Sequence, residues 1–238
     1  MTYPYTGTEL ELFAEAVHWK RYALGRLRPY AKGDILEVGA GIGANLPYLI
    51  NDRVNHWTCL EPDVALAARI FEKYKDDPRV DVASGGTVWS MTNRIYDVLF
   101  YVDVLEHIEH DREELARTET LLKPDGHLIV LAPAHPVLYS AFDKAIGHWR
   151  RYTRRLLLDI APPGLLPERS FYLDSVGLLV SAANRLLLRQ ATPTLRQIRF
   201  WDRIVVPGSR VLDALLGRSL GKTVVVVWRK PNTAGSPP

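Results

Sequence analysis

The chain has a single cysteine, Cys59, among its 238 residues. No disulfide framework can form within it, and a reduced, cytoplasmic setting is expected. No apolar stretch reaches the length of an uncharged membrane span, and residues 1–8 lack the basic-then-apolar pattern of a secretory leader. A secreted or integral membrane protein is therefore disfavoured. Internal repeats and metal-ligand spacings are also missing from the sequence, so no metal is expected.

Apolar residues, by contrast, make up 47% of the chain, enough to bury a substantial core as one large domain. Charge is divided unevenly. Residues 148–230 hold 15 Lys or Arg against 5 Asp or Glu, a balance of +10, while the remainder holds 15 against 22, a balance of −7. A basic third on an acidic remainder fits a solvated helix face as well as a surface for an anionic acceptor or a membrane. Nucleic acid is disfavoured, because no compact recognition motif is interleaved with the basic residues and the overall charge is only +3.

The segment Asp34-Ile-Leu-Glu-Val-Gly-Ala-Gly-Ile-Gly43 is a short apolar strand that runs into three glycines. Glycines at 39, 41 and 43 let the backbone turn with positive φ and approach a ligand closely. A second strand-like run, Trp57-Thr-Cys-Leu-Glu61, delivers an acid to its tip at the spacing that lets a carboxylate accept from ribose hydroxyls. Gly39, Gly41 and Ala44 satisfy a dinucleotide fingerprint, which keeps an NAD-dependent oxidoreductase in play. Glu37, however, sits inside the strand, where a charge is costly unless it has a polar task.

Glu37, Gly39, Gly41 and Gly43 fill the pattern E/D-x-G-x-G-x-G, and here the chain resembles the class I S-adenosylmethionine-dependent methyltransferases. Two further segments look like that family's later motifs: Tyr96 to Ile108, containing Asp-Val-Leu-Glu-His, and Leu121-Leu-Lys-Pro-Asp-Gly126, with Asp125 where a glycine is usual. The resemblance covers roughly residues 30–135. It implies a Rossmann-like α/β fold, a mostly parallel seven-stranded sheet with an antiparallel last strand inserted between the fifth and sixth, and helices on both faces. The implied cofactor is S-adenosylmethionine, released as S-adenosylhomocysteine. Implied cofactor contacts are Glu37, Gly39, Ala40, Gly41, Gly43, Glu61, Pro62, Gly85, Gly86, Thr87 and Asp103.

Periodicity places strands near 34–38, 57–60, 79–83, 97–101, 127–132, 168–173 and 223–228, and helices near 8–28, 44–50, 63–74 and 112–122. A single domain over 1–230 is expected: a helical lid at 1–30, a cofactor core at 31–135, an acceptor-side loop and helical insert at 136–217, and the last strand at 218–230. Residues 231–238 read as a disordered tail. Within the insert, an extra helical layer is favoured over a variant in which Trp201, residues 186–188 and arginines 185, 189, 196, 199 and 203 face an amphipathic or phosphorylated acceptor.

Methyl transfer from a sulfonium needs alignment and exclusion of water, and a hydroxyl acceptor gains further from a base. Three histidines lie where the acceptor should enter. His148 ranks first, since Asp143, Arg150, Arg151 and Tyr152 accompany it as an acid and anion-binding donors. His135, between two prolines, ranks second. His107 ranks third, because in the family the Glu-His pair shapes the cofactor pocket. The expected reaction is O-methylation of a sugar, glycolipid or other polar small molecule, anionic or lipid-linked, with peripheral membrane contact left open. N-methylation and a cofactor-binding protein without turnover are the alternatives.

Overall fold

The computed structural model describes residues 9–187 and 194–232. Strands β1 (Gly33–Val38), β2 (Val54–Glu61), β3 (Val80–Ser84), β4 (Tyr96–Val102), β5 (Leu122–Pro133), β6 (Leu166–Leu173) and β7 (Thr223–Arg229) form one sheet in the order β3-β2-β1-β4-β5-β7-β6. All neighbours are parallel except those of β7, which runs antiparallel between β5 and β6. The expected Rossmann-like sheet, with its inserted last strand, is what forms.

Helices are α1 (Glu9–Ala14), α2 (Val17–Leu27), α3 (Leu46–Leu49), α4 (Val64–Tyr74), α5 (Asp111–Thr120), α6 (Ala141–Ala145), α7 (Arg154–Asp159), α8 (Ser175–Leu187), α9 (Leu195–Phe200) and α10 (Val206–Leu215), with a π-turn at Trp201–Val205. The central strands are apolar on both faces because helices cover both. Ile35, Val98, Phe100, Ile129, Leu131, Val225 and Val227 pack into one core with α2, α3, α4 and the insert. The alternate residues Leu36, Leu99, Tyr101, Leu128, Val130, Val224 and Val226 pack into a second with α5 and α7. The period of two along each strand thus divides one sheet between two cores. Cys59 is buried in the first.

The single helix expected over 8–28 is two helices, broken at Glu15 and Ala16. The break has a tertiary cause. Asp202, in the π-turn, accepts from the backbone N–H groups of His18 at 3.1 Å and Trp19 at 2.8 Å, and from His18 Nδ1 at 2.9 Å. A carboxylate from 184 residues away therefore caps the first turn of α2. The helix expected over 44–50 shrinks to the single turn α3, which begins with Pro47 at its second position.

The insert is the favoured helical layer. Trp201 is buried, and its Nε1 donates to Asp174 at 2.7 Å, so it faces the fold instead of an acceptor. Arg199 pairs with Glu15. Arg189 and Leu188 lie outside the described residues, as do the side chains of Arg185, Leu186 and Leu187 and the tail from residue 233. Among the described residues no helix is long and apolar enough to cross a membrane.

Candidate functional site

Strand order reverses between β1 and β4, and it is beyond the C-terminal ends of the strands at such a switch point that open α/β sheets bind ligands. Val38 pairs with Tyr101, so the Gly39–Gly43 turn and the loop carrying Asp103 stand side by side. Gly39 has φ of 64°, and a Cβ there would meet Val104 at 2.8 Å; the close approach of the two loops requires glycine. At Gly41, with φ of 60°, the nearest neighbour to an added Cβ is Leu10 of α1 at 3.5 Å. The first helix therefore lies against the outer side of this turn.

Glu61, at the tip of β2, holds the turn from below. Its Oε2 accepts from Gly41 N–H at 2.7 Å and its Oε1 from Asp63 N–H at 3.0 Å. Burial raises its carboxyl above the ordinary carboxylate range, and the two backbone donors oppose that. Each carboxylate oxygen retains a further lone pair, so the arrangement leaves acceptor capacity for a ribose hydroxyl. Ala40 is buried behind the turn, and Gly43 N–H closes it on Ala40 O at 2.9 Å. Pro62 follows at the rim, half-buried.

Glu37 lies inside β1, two residues before the glycine turn. It is buried, with Oε1 accepting from Asn45 Nδ2 at 2.9 Å and Oε2 from Trp57 Nε1 at 3.1 Å. Asn45 in turn accepts from Lys20 Nζ at 2.9 Å. Burial pushes the Glu37 carboxyl up, and the donors from Asn45 and Trp57 pull it back. Glu37 thus ties β1, α3, β2 and α2 together beneath the glycine turn and shapes it from inside.

After β3, Gly85 has φ of 71° and donates to Glu61 O at 2.9 Å. Gly86 and Thr87 follow, half-buried, with Ser90 Oγ donating to Thr87 O at 2.7 Å. Val88 is buried beneath this turn, whereas Trp89 is 58% exposed and so is not the core residue its type suggests.

Asp103 has φ of 55° and is accessible to solvent. Its carboxyl is nevertheless raised by desolvation, with Lys20, His148 and Lys222 opposing. Asp103 follows β4 directly, beside the Gly39–Gly43 turn at the end of β1.

Beyond Asp103 lies a buried polar cluster. Glu106 is fully buried, and neither carboxylate oxygen meets a donor on another of the described residues. Burial lifts its carboxyl well above the ordinary value, and Asp103 adds to the lift. His148 Nε2 lies 3.8 Å from Glu106 Oε1, and the His107 ring stands perpendicular to the His148 ring with centroids 4.5 Å apart. Burial, then His148, lower the His107 pKa to about 4, so this ring is neutral at neutral pH. Despite the lack of a ligand spacing in the sequence, one ligand atom from each of Glu106, His107 and His148 lies within 4.8 Å of the others.

The loop from β5 to α7 builds this cluster. Asp143, buried, takes His148 Nδ1 at 3.0 Å, Arg151 Nε at 2.8 Å, Arg151 Nη2 at 3.0 Å and Ser140 Oγ at 2.7 Å. Burial alone would raise its carboxyl, but the donors from His148, Arg151 and Ser140 outweigh it and hold the group well below the usual range. Trp149 N–H donates to Glu106 O at 2.8 Å, which pins the loop against the end of β4.

Not every expected acceptor residue reaches the cleft. Arg151 is spent on Asp143. Tyr152 is buried, with its hydroxyl donating to Asp111 at 2.7 Å, so its expected contact with an acceptor is replaced by a structural one. Arg150 pairs with the same Asp111 at 2.8 Å and donates to Glu109 O. His135 takes φ of 64°, stacks on Tyr172 with ring centroids 5.3 Å apart, and has Nε2 at 3.0 Å from Gly221 O. It anchors a turn and does not join the cluster. Glu106 enters the sequence reading only as the partner of His107 in the Glu-His pair.

A family model described as a methyltransferase domain matches residues 11–169, and the chain belongs to that family, among the class I S-adenosylmethionine-dependent methyltransferases. S-adenosylmethionine is the cofactor of that class. Curated relatives include lovastatin nonaketide synthase mokA of Monascus pilosus, 24% identical, and the polyketide synthase component of compactin nonaketide synthase of Penicillium citrinum, 29% identical, each over 133 residues or 52% of this chain. The matches span 4% of those proteins' length. Among solved structures, N-methyltransferase NodS of Bradyrhizobium japonicum matches with TM-score 0.58 at 15% identity, covering 92% of this chain and 98% of that one. A phosphoethanolamine N-methyltransferase of Haemonchus contortus, bound to S-adenosylhomocysteine, matches with TM-score 0.63 at 16% identity over 94% and 58%. The cyclase SpnF, at TM-score 0.63 and 16% identity over 91% and 82%, has the same fold. At these identities the likeness is one of fold.

Proposed function

We propose that this methyltransferase methylates a hydroxyl oxygen on a polar small molecule, a sugar or glycolipid being the leading class. The observation that carries the reading is His148: its Nδ1 is held by Asp143, which leaves the Nε2 lone pair directed toward Glu106. An amine acceptor needs no such group, since its free base already carries a lone pair, whereas a hydroxyl gains from one that draws off or acidifies its proton.

On this reading the Gly39–Gly43 turn and Glu61 hold the nucleoside, with Gly85, Gly86 and Thr87 near the base and Asp103 at the amino-acid end. The cofactor supplies a methyl group on a sulfonium. The chain's residues align the acceptor with it, so that a C–O bond forms as the S–C bond breaks and the hydroxyl proton, drawn off or acidified on the His148 side, is lost to solvent. Support for the nucleoside contacts comes from the chain geometry: the glycine turn after β1, the Glu61 carboxylate at the end of β2 with acceptor capacity to spare, and the exposed Asp103 after β4 stand at the same end of neighbouring strands.

The test is methyl transfer from methyl-labelled S-adenosylmethionine to a panel of hydroxylated and amine acceptors. Labelled ether product that disappears in His148→Ala, with cofactor binding retained, is expected. Labelled amine as the sole product, or unchanged ether formation in that variant, would overturn the hydroxyl reading.

A further inference from the structure

We propose that Glu106, His107 and His148 form a binding site for a divalent first-row transition-metal cation at the inner end of the cleft. Glu106 is fully buried, and among the described residues its two oxygens meet no donor on a neighbour. A buried carboxylate left so is costly, and side chains of this kind are normally paired or ligated. Arg151, the cation whose charge acts on Glu106, is committed to Asp143.

The distances suit a cation better than a hydrogen bond. His148 Nε2 lies 3.8 Å from Glu106 Oε1, beyond hydrogen-bond reach. Two donors each about 2.1 Å from one ion stand roughly 3.4 Å apart in a tetrahedral arrangement and about 4.2 Å apart when opposed. The three ligand atoms all lie within 4.8 Å of one another, close to the span that one shared ion sets.

The surroundings match those of a ligating histidine. Such a residue usually donates its other ring N–H to a carboxylate, which fixes the tautomer and aims the lone pair. Asp143 does this for His148 at 3.0 Å and is itself fixed by Arg151 and Ser140. Two imidazoles and one carboxylate favour manganese, iron, cobalt or zinc over magnesium or calcium, which prefer oxygen throughout. Three protein ligands leave coordination positions free. The use made of them rests on the hydroxyl reading above: an acceptor hydroxyl on the cation becomes more acidic. Its proton passes to water, its oxygen forms the bond to the methyl carbon, and the S–C electron pair stays with sulfur. The lone pair of His148 then acts through the cation.

The test uses the full chain, stripped with a chelator and titrated with Co²⁺ while its visible d–d bands are followed. Calorimetric titrations with Zn²⁺ and Mn²⁺ and with S-adenosylhomocysteine accompany it. One cation per chain is expected, with affinity at least tenfold weaker in Glu106→Gln and in His148→Ala and unchanged in the exposed-surface variant His56→Ala. Binding of S-adenosylhomocysteine checks the fold of each variant. Should His148→Ala fail to fold, Glu106→Gln carries the test, since it keeps the volume and removes the carboxylate that would bind the cation. No saturable Co²⁺ binding by the wild type, or wild-type affinity in a folded Glu106→Gln, would overturn the site. Co²⁺ binding by a chain that ignores S-adenosylhomocysteine would support the metal site and count against the cofactor assignment alone.

Discussion

His148 Nδ1 stands 3.0 Å from Asp143 Oδ1, and this bond determines which ring nitrogen faces Glu106. Asp143 acts on the cleft only through that ring. Replacing it with asparagine keeps an acceptor but removes the charge that fixes the tautomer. Asp143→Asn is therefore expected to lower turnover while leaving S-adenosylhomocysteine affinity within about twofold, a small change against the tenfold steps that a lost charged contact produces. Steady-state kinetics beside calorimetry would separate the two effects.

Arg151 bridges both oxygens of the same carboxylate. Its removal would leave Asp143 buried and short of its main counter-charge. Arg151→Ala is expected to cost about 3–5 kcal/mol of stability, the range for breaking one side of a buried pair, read as a lower urea midpoint at unchanged m-value.

The pH dependence of stability should show the same group. Asp143 has a folded-state pKa depressed below its unfolded value, so its contribution is fully present above the unfolded value of about 3.9 and is lost as pH falls toward the folded one. Wild-type stability should fall across that acid window more steeply than that of Asp143→Asn. Equal slopes in urea titrations at stepped pH would contradict the assignment.

Asp202 caps α2 from the far end of the chain. Asp202→Ala should cost about 1 kcal/mol, as the loss of an N-cap does. Amide exchange at His18 and Trp19 should quicken while the β-strand amides stay protected. Uniform quickening would instead report global destabilisation.

Much of this fold was legible because its signals are local. The strands announce themselves as apolar runs, and the glycine turn with Glu61 marks the crevice in sequence alone. What escaped was set by distant partners. The break in the helix expected over 8–28 depends on Asp202, which no window around Ala16 contains. Tyr152 reads as a donor beside His148, yet the parallel bridge between Ala134 and Tyr152 turns it toward Asp111. Glu37 has the family's position, but its partners Asn45 and Trp57 come from other elements and turn it inward. Glu106 and His148 belong to separate loops, so a spacing rule for metal ligands has nothing to detect.

The central claim is that the crevice bounded by Gly41, Glu61 and Asp103 holds S-adenosylmethionine. Calorimetric titration with S-adenosylhomocysteine, with NAD as control, tests it most directly. Micromolar binding of the first alone is expected, weakened about tenfold or more in Glu61→Ala because charge-assisted hydrogen bonds of roughly 1.5–3 kcal/mol are lost. Binding of NAD instead, or equal affinity in wild type and Glu61→Ala, would contradict it.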